Sequence, residues 1–419
     1  MNQSGQPLPQ YRRKRAHVSI WGTTQMHLRS PFVVALWSAI FPGLGHLLLS
    51  KYIRGFTLFI WEVVINLASH LNLAILYTFL GRFEEAKQVV DIRWLILYIP
   101  TYLFAFWDSY RTATDLNNQF ILAAREDAPV QSFVMHPLGI NYLDKGSPWV
   151  AFAWSIISPG VSQLIIHRIL VAFFLIISWI AIIYFSRVLP AIHYTFTGQF
   201  DMARTVVNPQ WLLNIPSVYL FSMYDAYVNT VESNNLFEWE LGKYLKKSYQ
   251  DHAFPMPFGR KGGDRMYVAA NFEQTIKLES AITAIEMKGV PREHILAVPM
   301  DKRNEDRMLF DRTHSSDSMS MLDLPMITAA IFAVFGLIYG FILAWGPILW
   351  ALIGTAFGFA VGLLVKLYTT RRRRRKQRAA EPEVVLLIAC EAGQMEMVQE
   401  TLWAYSALGV AKLSLGDDM

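Results

Sequence analysis

At 419 residues, 53% hydrophobic and only 17% charged, with a mean hydropathy of +0.27, the chain is too apolar for an ordinary soluble protein. Its formal net charge of +5 is gathered near the two ends, at residues 12–15 and 371–378. One cysteine, Cys390, excludes an internal disulfide and any cysteine-based zinc cluster.

Residues 1–29 read as a basic, flexible N-terminus, without the small-residue cleavage site of a secretory signal peptide. The next 89 residues are then used twice. Sliding 30–118 onto 147–235, a shift of 117, pairs 33 identical residues in 89 without a gap. Ser30-Pro31 falls on Ser147-Pro148, Trp37-Ser38 on Trp154-Ser155, Pro42-Gly43 on Pro159-Gly160, and Asn117-Asn118 on Asn234-Asn235. Each copy is a membrane repeat with three apolar stretches: 31–50, 53–72 and 92–112, then 148–166, 169–190 and 209–229.

The middle and last stretches approach the roughly 20 residues that a spanning helix needs. The first is broken, by Pro42-Gly43-Leu44-Gly45 in one copy and Pro159-Gly160 in the other, so two half-helices joined by a turn are expected. Either 31–50 is re-entrant, each copy crosses twice and the copies are parallel, or each crosses three times and the copies are inverted. The bias of Lys and Arg favours the parallel arrangement, which keeps Lys51, Arg54, Arg111, Arg125, Lys145 and Arg168 beside the basic N-terminus on the cytoplasmic side.

Residues 119–146 read as a linker, and 236–265 as an amphipathic segment followed by a Pro/Gly-rich linker. From there the pattern becomes strand (266–272), helix (273–288) and strand (294–300), then a Ser/Met-rich linker (301–324). Two apolar stretches, 325–345 and 347–369, form a transmembrane hairpin, after which strand (383–390), helix (392–407) and strand (411–415) follow. Two strand-helix-strand halves are the content of a ferredoxin-like α+β domain, here 266–300 plus 383–416, with the hairpin inserted between its second and third strands. The fold class expected is therefore a multi-pass helical membrane protein carrying a cytoplasmic ferredoxin-like domain.

The hairpin carries Gly336 and Gly340 on one helix and Gly354, Gly358 and Gly362 on the other, spaced by four to line one face. That face either packs the two helices together or forms an oligomer interface. The arginine run after 370 reads as a cluster held against anionic headgroups; nucleic acid is not expected as a partner, because no aromatic platform accompanies the run.

Ionisable residues at membrane depth are the candidates for activity. Asp108 and Asp225 occupy equivalent positions, Glu62 becomes Trp179 in the second copy, and His46 becomes Gln163. The Asp pair serves either as structural anchors at helix ends or as cation sites on a polar pathway. No phosphate loop, zinc helix or nucleophile elbow occurs, so no catalytic residues, metal or cofactor are expected and the chain reads as non-enzymatic.

The stretch Ser38-Ala-Ile-Phe-Pro42-Gly-Leu-Gly-His46, followed by Lys51-Tyr-Ile-Arg-Gly55 and Trp107-Asp-Ser-Tyr-Arg111, resembles TM2-type membrane modules and the N-terminal membrane segment of some sugar ABC permeases. The second copy departs from that pattern at Ser162 and Ala172, where Gly45 and Gly55 stand in the first, and no permease coupling loop follows. Phe272-Glu-Gln-Thr-Ile-Lys-Leu-Glu-Ser-Ala281 with Gly289-Val-Pro291, and 384–415 with Glu391 and Gly409, resemble the general-stress-protein 17M-like group (DUF1269). That resemblance implies a sensing or interaction domain without a settled activity. The expected protein is a bacterial plasma-membrane scaffold or stress-related regulator, touching lipids and a protein partner or a second copy through the hairpin or the ferredoxin-like domain. The alternative is a transporter or channel subunit.

Overall fold

The structure, a computed structural model, describes residues 11–250, 254, 265–300, 321–371 and 383–413. Gly259, Gly262 and Gly263 of the basic linker, His314, most of the arginine run and Leu415 lie outside the described residues. The chain divides into two compact units, one of residues 1–142, 147–232 and 309–375, the other of 143–146, 233–308 and 376–419.

The first copy begins with a hairpin, β1 (Ala16–Ser19) and β2 (Gly22–Gln25), then α1 (Pro31–Ile40), α2 (Leu44–Leu48), α3 (Tyr52–Ser69), α4 (Leu71–Phe79), α5 (Phe83–Val89) and α6 (Ile92–Glu126). The second follows the same order: β3 (Phe133–His136), β4 (Gly139–Tyr142), α7 (Pro148–Ile157), α8 (Val161–Ile165), α9 (Ile169–Ser186), α10 (Val188–Phe196), α11 (Phe200–Val206), α12 (Pro209–Leu212) and α13 (Ile215–Ser248). Every strand of the second hairpin begins 117 residues after its counterpart. The structural repeat is therefore longer than the sequence repeat, and it corrects two expectations. Residues 16–25 of the N-terminus form a hairpin, and the stretch 119–146 holds the end of α6 and a second hairpin rather than a plain linker.

Local chemistry explains much of what the copies keep. Pro31 and Pro148 open α1 and α7, where a missing N–H costs nothing. Gly43 and Gly160 turn the chain with φ of 98° and 93°, a left-handed conformation that suits glycine. A Cβ on Gly43 would also stand 2.5 Å from Gly55 O and 2.8 Å from Phe59 N, so the turn is seated directly on α3.

Contacts across the boundary between the copies join equivalent levels. Arg168 Nη2 donates to Leu47 O at 3.0 Å, and Phe56 and Phe59 pack on Phe174 with ring centroids 4.2 and 4.9 Å apart. Asn72 Nδ2 donates to Gln210 O at 2.9 Å. Subtracting 117 turns 168, 174 and 210 into 51, 57 and 93, each at the height of its partner, since the Asp91 N–H bonds Ser69 O within copy one. The copies run parallel, which excludes the inverted arrangement.

Among the described residues two helical segments are long and apolar enough to cross a bilayer, α9 and 346–369, and counting the bent pairs α3–α4 (64°) and α5–α6 (90°) as single spans gives up to four. These helices allow a membrane location. Of the six crossing segments expected from the sequence, 209–229 is divided between α12 and α13, and the first hairpin helix stops at 17 residues.

In the second unit β5 (Arg265–Glu273), α14 (Ile276–Met287) and β6 (Ile295–Pro299) precede the apolar pair α15 (Asp323–Tyr339) and α16 (Gly346–Arg371), which belongs to the first unit; β7 (Glu383–Glu391), α17 (Met395–Ala404) and β8 (Gly409–Leu413) come after it. The four strands form one antiparallel sheet in the order β6-β7-β5-β8. Alternate residues Val268, Ala270, Phe272, Leu386 and Ile388 are buried, as are Leu278, Ile282 and Ile285 of α14 and Val398 and Leu402 of α17. Cys390 is a buried free thiol in β7, and burial pushes its pKa up.

Candidate functional site

The break after α1 places His46 in α2, where its Nε2 lies 3.0 Å from Asp108 Oδ2 of α6. Arg54, one turn into α3, donates from Nη1 to the same oxygen at 2.8 Å. In the second copy Gln163 replaces His46 and keeps the bond, its Nε2 donating to Asp225 Oδ2 at 3.2 Å. The cation differs. Position 171, equivalent to Arg54, is valine, and the charge comes from Arg168, whose Nη1 lies 2.5 Å from both Asp225 oxygens. Asn229 Nδ2 adds a bond to Asp225 Oδ1 at 2.8 Å. Both oxygens of Asp225, and Oδ2 of Asp108, are thus bonded by side chains of their own copy, which suits an anchor between the broken helix and the long helix behind it.

The lost glycines of the second copy have local explanations. A Cβ on Gly45 would run into Val34 O and Ser38 Oγ. In copy two Ser162 occupies that position and its hydroxyl bonds Ser155 Oγ, and also Gln163 Oε1 at 3.0 Å. A Cβ on Gly55 would meet Leu47 Cδ2 at 2.6 Å, the flexible end of a side chain, and the second copy carries Ala172 there.

Glu62 belongs to a different cluster, and this one has no counterpart in the other copy. Its Oε1 accepts from Asn66 Nδ2 at 3.2 Å and from the Tyr98 hydroxyl at 3.4 Å, while Oε2 is buried without a partner among the described residues. Asn66 Nδ2 also donates to Asn72 Oδ1 (3.1 Å), and Gln210 Nε2 donates to Asn66 Oδ1 (2.7 Å). Asn72 Nδ2 reaches Asn214 Oδ1 at 3.1 Å, and the backbone N–H of Leu73 donates to Gln210 Oε1 at 2.9 Å. A chain of amides from both copies therefore ends on one carboxylate. The sequence singles out Glu62 but not this network, because Asn66, Asn72, Gln210 and Asn214 are unremarkable until the copies meet.

All five hairpin glycines face the opposite helix. A Cβ on Gly340 would stand 2.5 Å from Pro347 Cα and one on Gly358 2.5 Å from Thr328 O, while one on Gly336, Gly354 or Gly362 would collide with Trp350 O, Phe332 O or Thr328 Oγ1 respectively. Thr328 Oγ1 also donates to Gly358 O at 2.7 Å. The glycine face is consumed by the packing of α15 on α16.

An open hollow of about 410 Å³ lies elsewhere in the first unit, between the start of α11 (Phe200, Asp201, Arg204) and the hairpin turn at Trp345. None of Asp108, Asp225, Glu62 or His46 lines it. Among the described residues no group of three or more His, Cys, Asp or Glu is placed to hold a metal ion. No family model, no curated protein and no solved structure matches the chain.

Proposed function

We propose that the chain is a non-enzymatic, multi-pass scaffold or stress-related regulator of the bacterial plasma membrane, with its N-terminus and a ferredoxin-like interaction domain on the cytoplasmic side. The observation that carries this reading is that Asp108 and Asp225 are each bonded by a cation and a polar side chain of their own copy, outside the hollow at Phe200 and Trp345. A carboxylate on a transport route needs free coordination or a path to water; Asp225, fully buried with both oxygens bonded, has neither. The orientation is supported by the parallel copies, which bring Lys51, Arg54 and Arg168 to one end of the helices, the end that the positive-inside rule assigns to the cytoplasm.

The interaction domain rests on the sheet. Strand order β6-β7-β5-β8, renumbered within the domain, is second-third-first-fourth with all neighbours antiparallel, the arrangement of a ferredoxin-like sheet, and a helix follows its first and third strands. The apolar hairpin interrupts that domain between its second and third strands, which suits a partner-binding module tied to a bilayer.

A transporter or channel subunit is the second reading, favoured by the unpartnered Oε2 of Glu62 inside the amide network. Flux through proteoliposomes separates the two. The scaffold reading expects no proton or alkali-cation flux from the wild-type protein; flux that disappears in Glu62→Gln, Asp108→Asn or Asp225→Asn would overturn it.

A further inference from the structure

The contact between the two copies uses a different face of each. Trp37 of α1 is fully buried, packed against Phe221 (ring centroids 5.4 Å apart, edge-on) and Tyr224 (5.3 Å, stacked) of α13. The copy-one side of this contact we call the front and the copy-two side the back. Shifting by 117 gives the front of copy two and the back of copy one. Trp154, equivalent to Trp37, is 43% exposed, and Phe104 and Trp107, equivalent to Phe221 and Tyr224, are 45% and 53% exposed.

The same holds along both faces. Val33 is buried and Ile40 partly so, whereas Val150 and Ile157 are exposed; Leu220 and Tyr227 are buried, whereas Leu103 and Tyr110 are exposed. Phe56 packs on Phe174, whereas its equivalent Phe173 is exposed. At Val33/Val150, Trp37/Trp154, Ile40/Ile157, Leu103/Leu220, Phe104/Phe221 and Tyr110/Tyr227 both copies carry the same residue, although one member of each pair is buried or partly buried in the core that joins the copies, which Met326 and Ile327 of α15 also enter, and the other is exposed. A two-fold contact would use front and back of both copies. This one is heterologous, and so leaves one front and one back open on every chain.

A polar group follows the pattern from a non-equivalent position, since the residue that corresponds to Arg168 is Lys51. Arg168 binds Asp225 and reaches across the boundary to Leu47 O. On the open back Arg54 binds Asp108 with its side chain half exposed, and on the open front the residue equivalent to Leu47 is Leu164.

We propose that a second copy of this chain docks the open front of its α7 on the open back of α6, continuing between chains the contact that already joins the copies within one. Trp154 of one chain packs on Phe104 and Trp107 of the other, and Arg54 donates to the Leu164 carbonyl as Arg168 does to Leu47. The inference goes beyond the scaffold reading and does not depend on it, since it rests on the geometry within the first unit.

Cysteine cross-linking in native membranes tests the contact. Two differently tagged chains, both carrying Cys390→Ser, are co-expressed, one with Phe104→Cys and the other with Trp154→Cys. Oxidation is expected to give a species of at least twice the chain mass carrying both tags. Pairing Trp154→Cys with Leu352→Cys, an exposed hairpin position, measures random collision. Photobleaching of labelled full-length protein in dilute liposomes is expected to show two or more steps. The double variant Trp107→Ala/Trp154→Ala should weaken association by about tenfold or more, the worth of interfacial aromatic anchors, at an unchanged melting temperature. Single-step bleaching of the wild type, or cross-linking no stronger than the Leu352 control, would overturn the proposal, with lipid then covering both faces.

Discussion

Asn117 holds both backbone groups of Arg29: its Oδ1 accepts the Arg29 N–H at 2.9 Å and its Nδ2 donates to the Arg29 carbonyl at 2.8 Å. Asn234 does the same to Gly146, at 2.9 and 2.8 Å. The asparagine recurs in the repeat while its partner changes from Arg to Gly, because only main-chain atoms are recognised. The clamp fixes the segment that enters the first helix of each copy against the long helix that ends it.

Removing the clamp leaves a part-buried N–H and C=O without partners. Asn117→Ala should therefore lower stability by about 1–3 kcal/mol, with Asn234→Ala at the lower end because Gly146 is exposed and water replaces the lost bonds. Unfolding of the purified protein in detergent, followed by intrinsic fluorescence, measures both. Equal and negligible shifts would show that the entry segments are held by other contacts.

The two Asp pairs should respond unequally. Arg168 and Asp225 are both almost completely buried, so Arg168→Met strands a carboxylate and should cost about 3–5 kcal/mol. Arg54 is half exposed, and Arg54→Met should cost about 1 kcal/mol or less. Adding Asp225→Asn to Arg168→Met should recover part of the loss, a coupling that a double-mutant cycle reads directly.

Gly336→Ala and Gly354→Ala each place a Cβ against backbone of the facing helix, where nothing flexible is able to give way. Each should destabilise the hairpin by about 1–3 kcal/mol. Gly393→Ala, with nothing within 4 Å of the new atom, should stay within about 0.5 kcal/mol. Proteolysis at the hairpin turn near Trp345 reports the loosening separately from global unfolding.

One pH dependence follows from the N-terminal segment. The side chain of Arg13, bonded to Glu126 Oε1 at 2.6 Å, and the N–H groups of Arg12 and Arg13, both at 2.8 Å from Oε2, hold the Glu126 carboxyl below its usual range. A depressed folded-state pKa stabilises at pH above the unfolded value and ceases to do so as pH falls through the folded one. The segment should therefore be tethered at neutral pH and released in acid, below the ordinary glutamate range. A probe on Tyr11→Cys, in a Cys390→Ser background, should lose anisotropy across that window. Glu126→Gln should give low anisotropy at every pH; a wild-type-like titration in that variant would assign the transition to another group.

The repeat, the Pro-Gly break, the apolar stretches and the glycine faces of the hairpin are legible in the sequence because each is a local or periodic signal. The hairpins at 16–25 and 133–142 are not. Of their corresponding positions only Gly22 and Gly139 match, and short strands held by main-chain bonds put little demand on side-chain identity. The aspartates also stand out in the sequence, but their cations do not. Arg54 and Arg168 sit at non-equivalent positions of the repeat, so aligning the copies hides the fact that each supplies the same charge to the same carboxylate.

Helix period, strand alternation and turn residues act over a few positions, and they are enough to define a duplicated apolar unit followed by a strand-helix-strand pattern split by a hairpin. That the copies lie parallel, that one amide network belongs to their boundary, and that identical residues are buried in one copy and exposed in the other emerges in the folded chain. Those outcomes depend on which surfaces meet at separations near 117 residues, and surface pairing at that range leaves no periodic mark in the chain.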